Sequence, residues 1–247
     1  MESLSFLILF QYQPLNPLIF FACVPLAMCS QKSESLKGKF ADYFLIGATI
    51  NQEDYQIIDN DEKILKIVSE DFNSVTPENS MKWMHSHPEY SKFTFSNAQK
   101  ITDFAKDNDM YLLGHTLVWH NQVPDYVSEI KEKTKFNLHI KNHIFQLVTR
   151  FKGKVDMWDV VNEALNDDGS LRETVFLEMM GDDYIERVFQ YANDTDPNVE
   201  LAYNDYNLYK PKKREGAIRI INSLKEKGIR TVSYTHLRAH ETREDLV

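Results

Sequence analysis

From Phe40 onward, short apolar runs alternate with amphipathic helical patterns five times without a long break, which restricts the chain to folds built from βα units on a parallel sheet. The first unit pairs a strand over residues 44–50 with a helix over about 59–72, where Ile64, Leu65, Val68 and Phe72 share a face and Asp59 and Glu62 give an acidic start. The second has a strand over 74–78, a loop through Pro88 and a helix from Asn97 with Ile101, Phe104 and Ala105 as its stripe. Ser96 and Gln99 have the spacing of a capping box. The third strand, 111–119, leads to a helix marked by Phe136, Ile140, Ile144, Leu147, Val148 and Phe151 and ended by Gly153. The fourth strand, 155–161, precedes a helix through Ile185, Val188, Phe189 and Ala192. The fifth, 199–203, precedes one through Ala217, Ile218, Ile221 and Leu224 that Lys227 and Gly228 stop, and a sixth strand is expected near Ile229.

Five such units fit either a doubly wound sheet or an eight-unit barrel, and the strand ends decide between them. Polar and aromatic residues gather there repeatedly: Glu78, Asn79 and Lys82 after the second strand, His115, Trp119 and His120 on the third, Asn162 and Glu163 after the fourth, Asn204, Tyr206 and Asn207 after the fifth. Barrel enzymes place their chemistry at the C-terminal ends of several strands, and the Gly-rich turn of a nucleotide fold does not follow the first strand. The expected fold class is α/β, a (β/α)8 TIM barrel of which about five of eight units are present.

A formal net charge of −9 disfavours a nucleic-acid partner, since phosphate binding needs a basic field. The one compact basic run, residues 210–214, reads as a solvated helix start. The only cysteines are Cys23 and Cys29, so the body has no disulfide framework and no thiolate metal site. Apolar stretches over 6–10 and 15–27, broken by Pro14, Pro17 and Pro25, are too short to span a bilayer. Residues 1–29 read instead as a signal peptide or lipoprotein signal, with Leu26-Ala27-Met28-Cys29-Ser30 as a lipoprotein-like cleavage box and Cys29 as the point of a lipid anchor; the plain alternatives are a mistaken start codon or a buried core strand. Glu2, and no Lys or Arg, in the first residues runs against that pattern, as does Met28 before the cysteine. The expected location is secreted, or an outer-membrane or cell-surface lipoprotein.

The segment richest in chemistry is Trp158-Asp159-Val160-Val161-Asn162-Glu163-Ala164, where a buried strand runs straight into an amide and a carboxylate. Glycoside hydrolysis needs two carboxyl groups, one to protonate the leaving oxygen and one ionised to attack the anomeric carbon. Glu163 suits the acid role if apolar neighbours such as Trp158 raise its pKa, and Asn162 suits a contact to a sugar 2-hydroxyl. The same two residues also fit a helix-capping Asn and a first-turn Glu. Other residues have equally plain alternatives: Glu78 and Lys82 as a surface i,i+4 pair, His115 as a core histidine, Trp83 and Trp119 as core aromatics or sugar platforms. Tyr203 reads as packing, and His85 and His87 read as part of a solvated loop rather than a metal site.

Thr76-Pro77-Glu78-Asn79-Ser80-Met81-Lys82-Trp83, Gly114-His115-Thr116-Leu117-Val118-Trp119-His120, the segment from Trp158 to Ala164, and Tyr203-Asn204-Asp205-Tyr206-Asn207 together resemble the successive strand-end motifs of family 10 xylanases, in the same order. The resemblance covers residues 44–228 and implies a retaining endo-1,4-β-xylanase whose substrate is xylan or a xylo-oligosaccharide, with no cofactor and no metal. It implies Glu163 as acid/base and Glu78, Asn79, Lys82, His115 and Trp119 as the lining of the subsite on the non-reducing side of the cut. Asn162 would meet the sugar at the reaction centre, and Gln122, Asn204 and Tyr206 would be further lining residues. Residues 40–230 would be the N-terminal part of the catalytic barrel.

The family pattern continues with a Gln-x-His strand, a strand bearing the nucleophilic Glu and a late tryptophan, and these do not follow Gly228. Residues 231–247, including Glu241 and Glu244, resemble a non-native tail of adapter read-through with neither an apolar strand run nor a strand-end Glu. The chain alone, lacking the nucleophile, is therefore expected to be inactive. The rival readings are another retaining β-1,4-glycosidase such as an endoglucanase, a non-catalytic carbohydrate-binding barrel and, more remotely, a metal hydrolase.

Overall fold

The computed structural model describes residues 6–9, 35–50 and 62–235. The remainder of the expected leader with Cys23 and Cys29, the expected acidic start at Asp59, and the tail with Glu241 and Glu244 lie outside the described residues. The described strands form one sheet in sequence order: β1 (Phe6–Leu9), β2 (Leu45–Ile50), β3 (Ser74–Pro77), β4 (Tyr111–Trp119), β5 (Met157–Asn162), β6 (Glu200–Asp205) and β7 (Val232–Thr235). Strands β2 to β7 are parallel, whereas β1 pairs antiparallel with β2, Phe6 opposite Ala48. Strand order that follows chain order through helical crossovers is the arrangement of a (β/α)8 barrel wall, not of a doubly wound sheet, whose order reverses.

Helices follow the strands much as the periodicity requires: α1 (Leu36–Phe40), α2 (Glu62–Asp71), α3 (Trp83–Ser86), α4 (Ser96–Asp107), α5 (Asp125–Glu129), α6 (Lys133–Arg150), α7 (Val175–Met180), α8 (Tyr184–Thr195) and α9 (Pro211–Glu226). The stripe Phe136, Ile140, Ile144 and Leu147 of α6 and the stripe Ile185, Val188 and Phe189 of α8 are buried in one apolar layer with Trp158, Val160 and Leu201 of the sheet. Each such side chain contributes about 1.5–3 kcal/mol on leaving water. Inside the barrel, Leu113, Met157 and Ala202 form a separate small floor, with Tyr111 packed against it.

Three local expectations are corrected. Helix α4 has Phe95 rather than Ser96 at its N-cap and no side-chain cap; the Gln99 side-chain oxygen, the acceptor a capping box would use, instead accepts from Arg150 Nη2 (2.9 Å). The sixth parallel strand forms at Val232–Thr235, later than Ile229 and within the stretch read as strandless. Val232 and the threonines beside it suit a pleated backbone, and the unpaired edge of β6 supplies the ladder. The basic run is not a solvated start throughout: Lys210 is the N-cap of α9 and pairs with Asp167 at 2.6 Å, but Lys213 is fully buried. Its Nζ lies 2.9 Å from the equally buried Asp205 Oδ1, an ion pair without hydrogen-bond alignment. Asp205 also accepts from the Tyr203 hydroxyl (2.6 Å) and from the backbone N–H groups of Tyr206 (2.8 Å) and Leu165 (3.3 Å).

Candidate active site

Which residues face the barrel interior is set by two irregularities in the ladder. Along β6, Ala202 and Asn204 are two apart and so share a face. Their partners on β5 are Asp159 and Asn162, three apart, and on β4 they are His115 and Trp119, four apart. Each bulge inserts one residue and re-aims the side chains beyond it. The result is that His115, Trp119, Asp159, Asn162 and Asn204 converge on one side, although simple alternation would separate Asp159 from Asn162.

Their hydrogen bonds confirm the convergence. Asp159, fully buried, holds His115 Nδ1 at 2.7 Å, and its same Oδ2 accepts from Asn204 Nδ2 at 3.2 Å. Asn204 also donates to Asn162 Oδ1 at 2.9 Å. A buried carboxylate needs such partners, and here they tie β4, β5 and β6 together beneath the site.

Glu163 ends β5 in the left-handed region, φ +56°, and is 4 % exposed. A non-glycine residue in that region carries strain that its surroundings must hold. Its N–H donates to the Asn204 carbonyl (2.8 Å) and its carbonyl accepts from Arg172 Nε (2.9 Å). The carboxylate Oε2 accepts from the Trp119 indole N–H at 3.0 Å. Trp158 is not its neighbour: that ring packs toward the helices, against Gly114 and Phe151. A pair of bulges invisible to periodicity put Trp119 in the place expected of Trp158.

Lys82 is buried, not part of a surface pair, and Glu78 is exposed. The ammonium donates to Asn79 Oδ1 (3.1 Å) and lies 4.8 Å above the Trp119 ring, a cation–π contact. Burial lowers its pKa, and the charges of Glu78, Glu163 and Asp159 oppose that shift. Lys82 therefore belongs to the same group as Trp119 and Glu163. Gln122 and Tyr206 sit at the flanks. Gln122, at φ +50°, bonds through its side chain to His85 and through its carbonyl to the Met84 N–H (3.0 Å). The Tyr206 hydroxyl accepts from Arg172 Nη2 at 2.5 Å, and Lys213 Nζ lies 3.7 Å over its ring. His87 is not solvated: it is fully buried, and the described residues contain no cluster of three or more His, Cys, Asp or Glu able to hold a metal.

Two residues of this site are not singled out by the sequence reasoning above. Asp159 could have been, as a carboxylate in the middle of an apolar strand. Arg172 could not, since only the excursion of residues 164–171, closed by the Leu165–Leu171 bridge, returns it to Glu163.

The family profile of Glycosyl hydrolase family 10 matches residues 35–241. The chain belongs to that family. This family 10 chain is 43 % identical over 197 residues to a β-1,4-xylanase of Dictyoglomus thermophilum, covering 79 % of this chain and 54 % of that protein. It is 37 % identical over 212 residues to endo-1,4-β-xylanase A of Xylanibacter ruminicola, covering 84 % and 57 %. The chain thus spans somewhat over half the length of these curated relatives. Among solved structures it superposes on a GH10 endoxylanase from a sugarcane soil metagenome with TM-score 0.76 at 34 % identity, covering 81 % of this chain and 60 % of that one. Xylanase 10B of Thermotoga petrophila RKU-1 in complex with xylobiose gives TM-score 0.74 at 36 % identity, covering 79 % and 60 %. With the strands in chain order, these likenesses identify the parallel sheet as part of a (β/α)8 barrel wall.

Proposed function

We propose that these residues carry the acid/base half of a retaining endo-1,4-β-xylanase, which cleaves internal β-1,4-xylosidic bonds of xylan. The observation that supports this best is the Glu163 carboxyl, buried at a barrel strand end, oriented by the Trp119 indole and set beside the Asp159–Asn204–Asn162 chain. In this reading Glu163 protonates the leaving oxygen and later takes a proton from water. Asn162, its oxygen engaged by Asn204, offers its NH2 to the sugar 2-hydroxyl, a contact that strengthens as positive charge develops on the ring. Glu78, Asn79, Lys82, His115 and Trp119 hold the sugar on the non-reducing side, with Gln122, Asn204 and Tyr206 as lining. The nucleophile's role is given to none of the described residues. The test is reducing-sugar release by the whole gene product from xylan and from carboxymethylcellulose. Release from xylan with little from the cellulose derivative is expected; the reverse would make it an endoglucanase.

Lys82 gives a second prediction, because its desolvation is a cost to the fold. Its folded pKa lies below the unfolded value of 10.5. Between those two values the unfolded chain binds more proton, so this group's contribution to stability rises with pH there, and the penalty is in full force at neutral pH. Lys82→Met is expected to raise the denaturant midpoint at neutral pH and to weaken xylo-oligosaccharide binding. Urea unfolding and calorimetric titration check the two halves separately, and a fall in both would make Lys82 a structural residue.

No helix of the described residues is long and apolar enough to cross a membrane. Export through the apolar first thirty residues, with the mature protein starting at or just after Cys29, accounts for their composition and would take β1 away from its ladder with β2. Mass spectrometry of the native product should then lack residues 1–28; a cytoplasmic product retaining them would overturn it.

A further inference from the structure

Behind the Lys82 and Trp119 side of the site lies a buried stack of rings that the chemistry above does not use. Trp83 is parallel to His143, with centroids 3.8 Å apart, and His87 packs in the same way on Phe93 at 3.8 Å. His87 and His143 are both fully buried, and their Nδ1 atoms face each other at 3.2 Å. The far nitrogen of each ring meets a backbone carbonyl: His87 Nε2 the carbonyl of Tyr90 at 3.1 Å, and His143 Nε2 that of Leu117 at 3.2 Å. A carbonyl oxygen only accepts, so each Nε2 must carry a hydrogen, and the contact between the two Nδ1 atoms needs one more. Three hydrogen bonds require three protons. Two neutral imidazoles carry two.

We propose that His87 and His143 form a single proton-binding pair, in which one proton shared between the two Nδ1 atoms completes a brace from the segment after Lys82 to the strand that carries Trp119. The His143 end of the brace is fixed on α6 and hydrogen-bonds β4 two residues before Trp119; the His87 end closes α3, the single turn that starts at Trp83 just after Lys82. The Trp83 face stacked on His143 suits a cation, and the Trp83 indole is itself anchored, donating to the Tyr126 hydroxyl at 2.8 Å while that hydroxyl donates to the His87 carbonyl at 3.0 Å. The titratable groups packed against the pair are His139 of α6, Tyr126 of α5 and Tyr90 of the loop after α3. From β4 it meets the Leu117 carbonyl. Burial, aided by the neighbouring imidazoles, favours the neutral rings, lowering His87 to about 4 and His143 well below the usual histidine value. The third proton is therefore taken up on the acid side of neutrality.

The experiment is a nitrogen-15 titration of the histidine-labelled full chain from neutral pH into the acid range. Both Nε2 atoms should remain protonated throughout, while both Nδ1 signals move together with one midpoint. His87→Asn brings its own amide N–H to His143 Nδ1 and removes the need for the extra proton. In that variant the His143 midpoint should fall by about one to two pH units, the worth of a hydrogen bond to a charged group. Separate midpoints for the two rings overturn the proposal, as does an Nδ1-protonated tautomer in either ring at neutral pH. So does the absence of any uptake by the pair before the chain unfolds. The wild-type titration decides the matter even where the variant folds poorly.

Discussion

Replacing Glu163 by glutamine is expected to slow xylan hydrolysis by the whole gene product by roughly 10²- to 10⁴-fold, the usual worth of general acid–base help. Glutamine keeps the volume of the side chain and can still receive the Trp119 indole N–H through its amide oxygen, which the carboxylate now does at 3.0 Å. The backbone bonds to Asn204 and Arg172 do not involve the side chain at all. The unfolding midpoint should consequently stay close to that of the parent, and what is lost is the titrating carboxyl, with the charge it contributes beside Lys82. The two kinds of substrate separate proton donation from binding. An aryl xyloside with an activated leaving group needs little protonation, so its glycosylation step should lose far less than that of xylan. Equal losses on both, where glycosylation limits each, would take Glu163 out of the acid role and leave it a positioning residue for Trp119.

The largest effect on the fold itself is expected from Lys213. Lys213→Met leaves Asp205 as a buried carboxylate without its cation, a change that costs roughly 3–5 kcal/mol where one partner of a buried pair is removed. Asp205 is not then wholly unsupported, since the Tyr203 hydroxyl and two backbone N–H groups still bond it. Removing both charges, as Lys213→Met with Asp205→Asn, should recover part of the loss, because an amide oxygen in the place of Oδ2 still accepts from the Tyr203 hydroxyl and the Leu165 N–H without needing a countercharge, although the bond from the Tyr206 N–H is given up. Urea denaturation of the parent, the single variant and the double variant measures this. A single variant within about 1 kcal/mol of the parent, the ordinary worth of a solvated pair, would mean that water reaches the ammonium.

The strands and the long helices are legible in the sequence because their signals are local and repetitive. Ile140, Ile144 and Leu147 mark one face of α6, and Val160, Val161 and their neighbours mark a strand covered on both sides. The strand-end chemistry is legible because polar residues cannot otherwise be justified next to such runs. The features that escape depend on contacts across the sheet. The bulges that bring Asp159, Asn162 and Asn204 together leave no trace in hydrophobic period, since one inserted residue changes only which side the next residue takes. The left-handed backbone of Glu163 is likewise imposed from outside, by Asn204 and Arg172. Lys213 and His87 read as solvated because of their own polarity and that of their sequence neighbours. Their partners, Asp205 and His143, come from other elements of the wall.

Gly114 on β4 lies against the ring of Trp158 on β5, where a Cβ on residue 114 would come within 2.4 Å of the indole. For anyone diversifying this barrel, positions 114 and 158 are accordingly one choice. A library that varies residue 114 alone will return glycine whatever function is selected. A smaller residue at 158 would open room for a side chain at 114 while leaving a void beside Phe151 to be refilled, so useful variants should surface only as combinations across those positions.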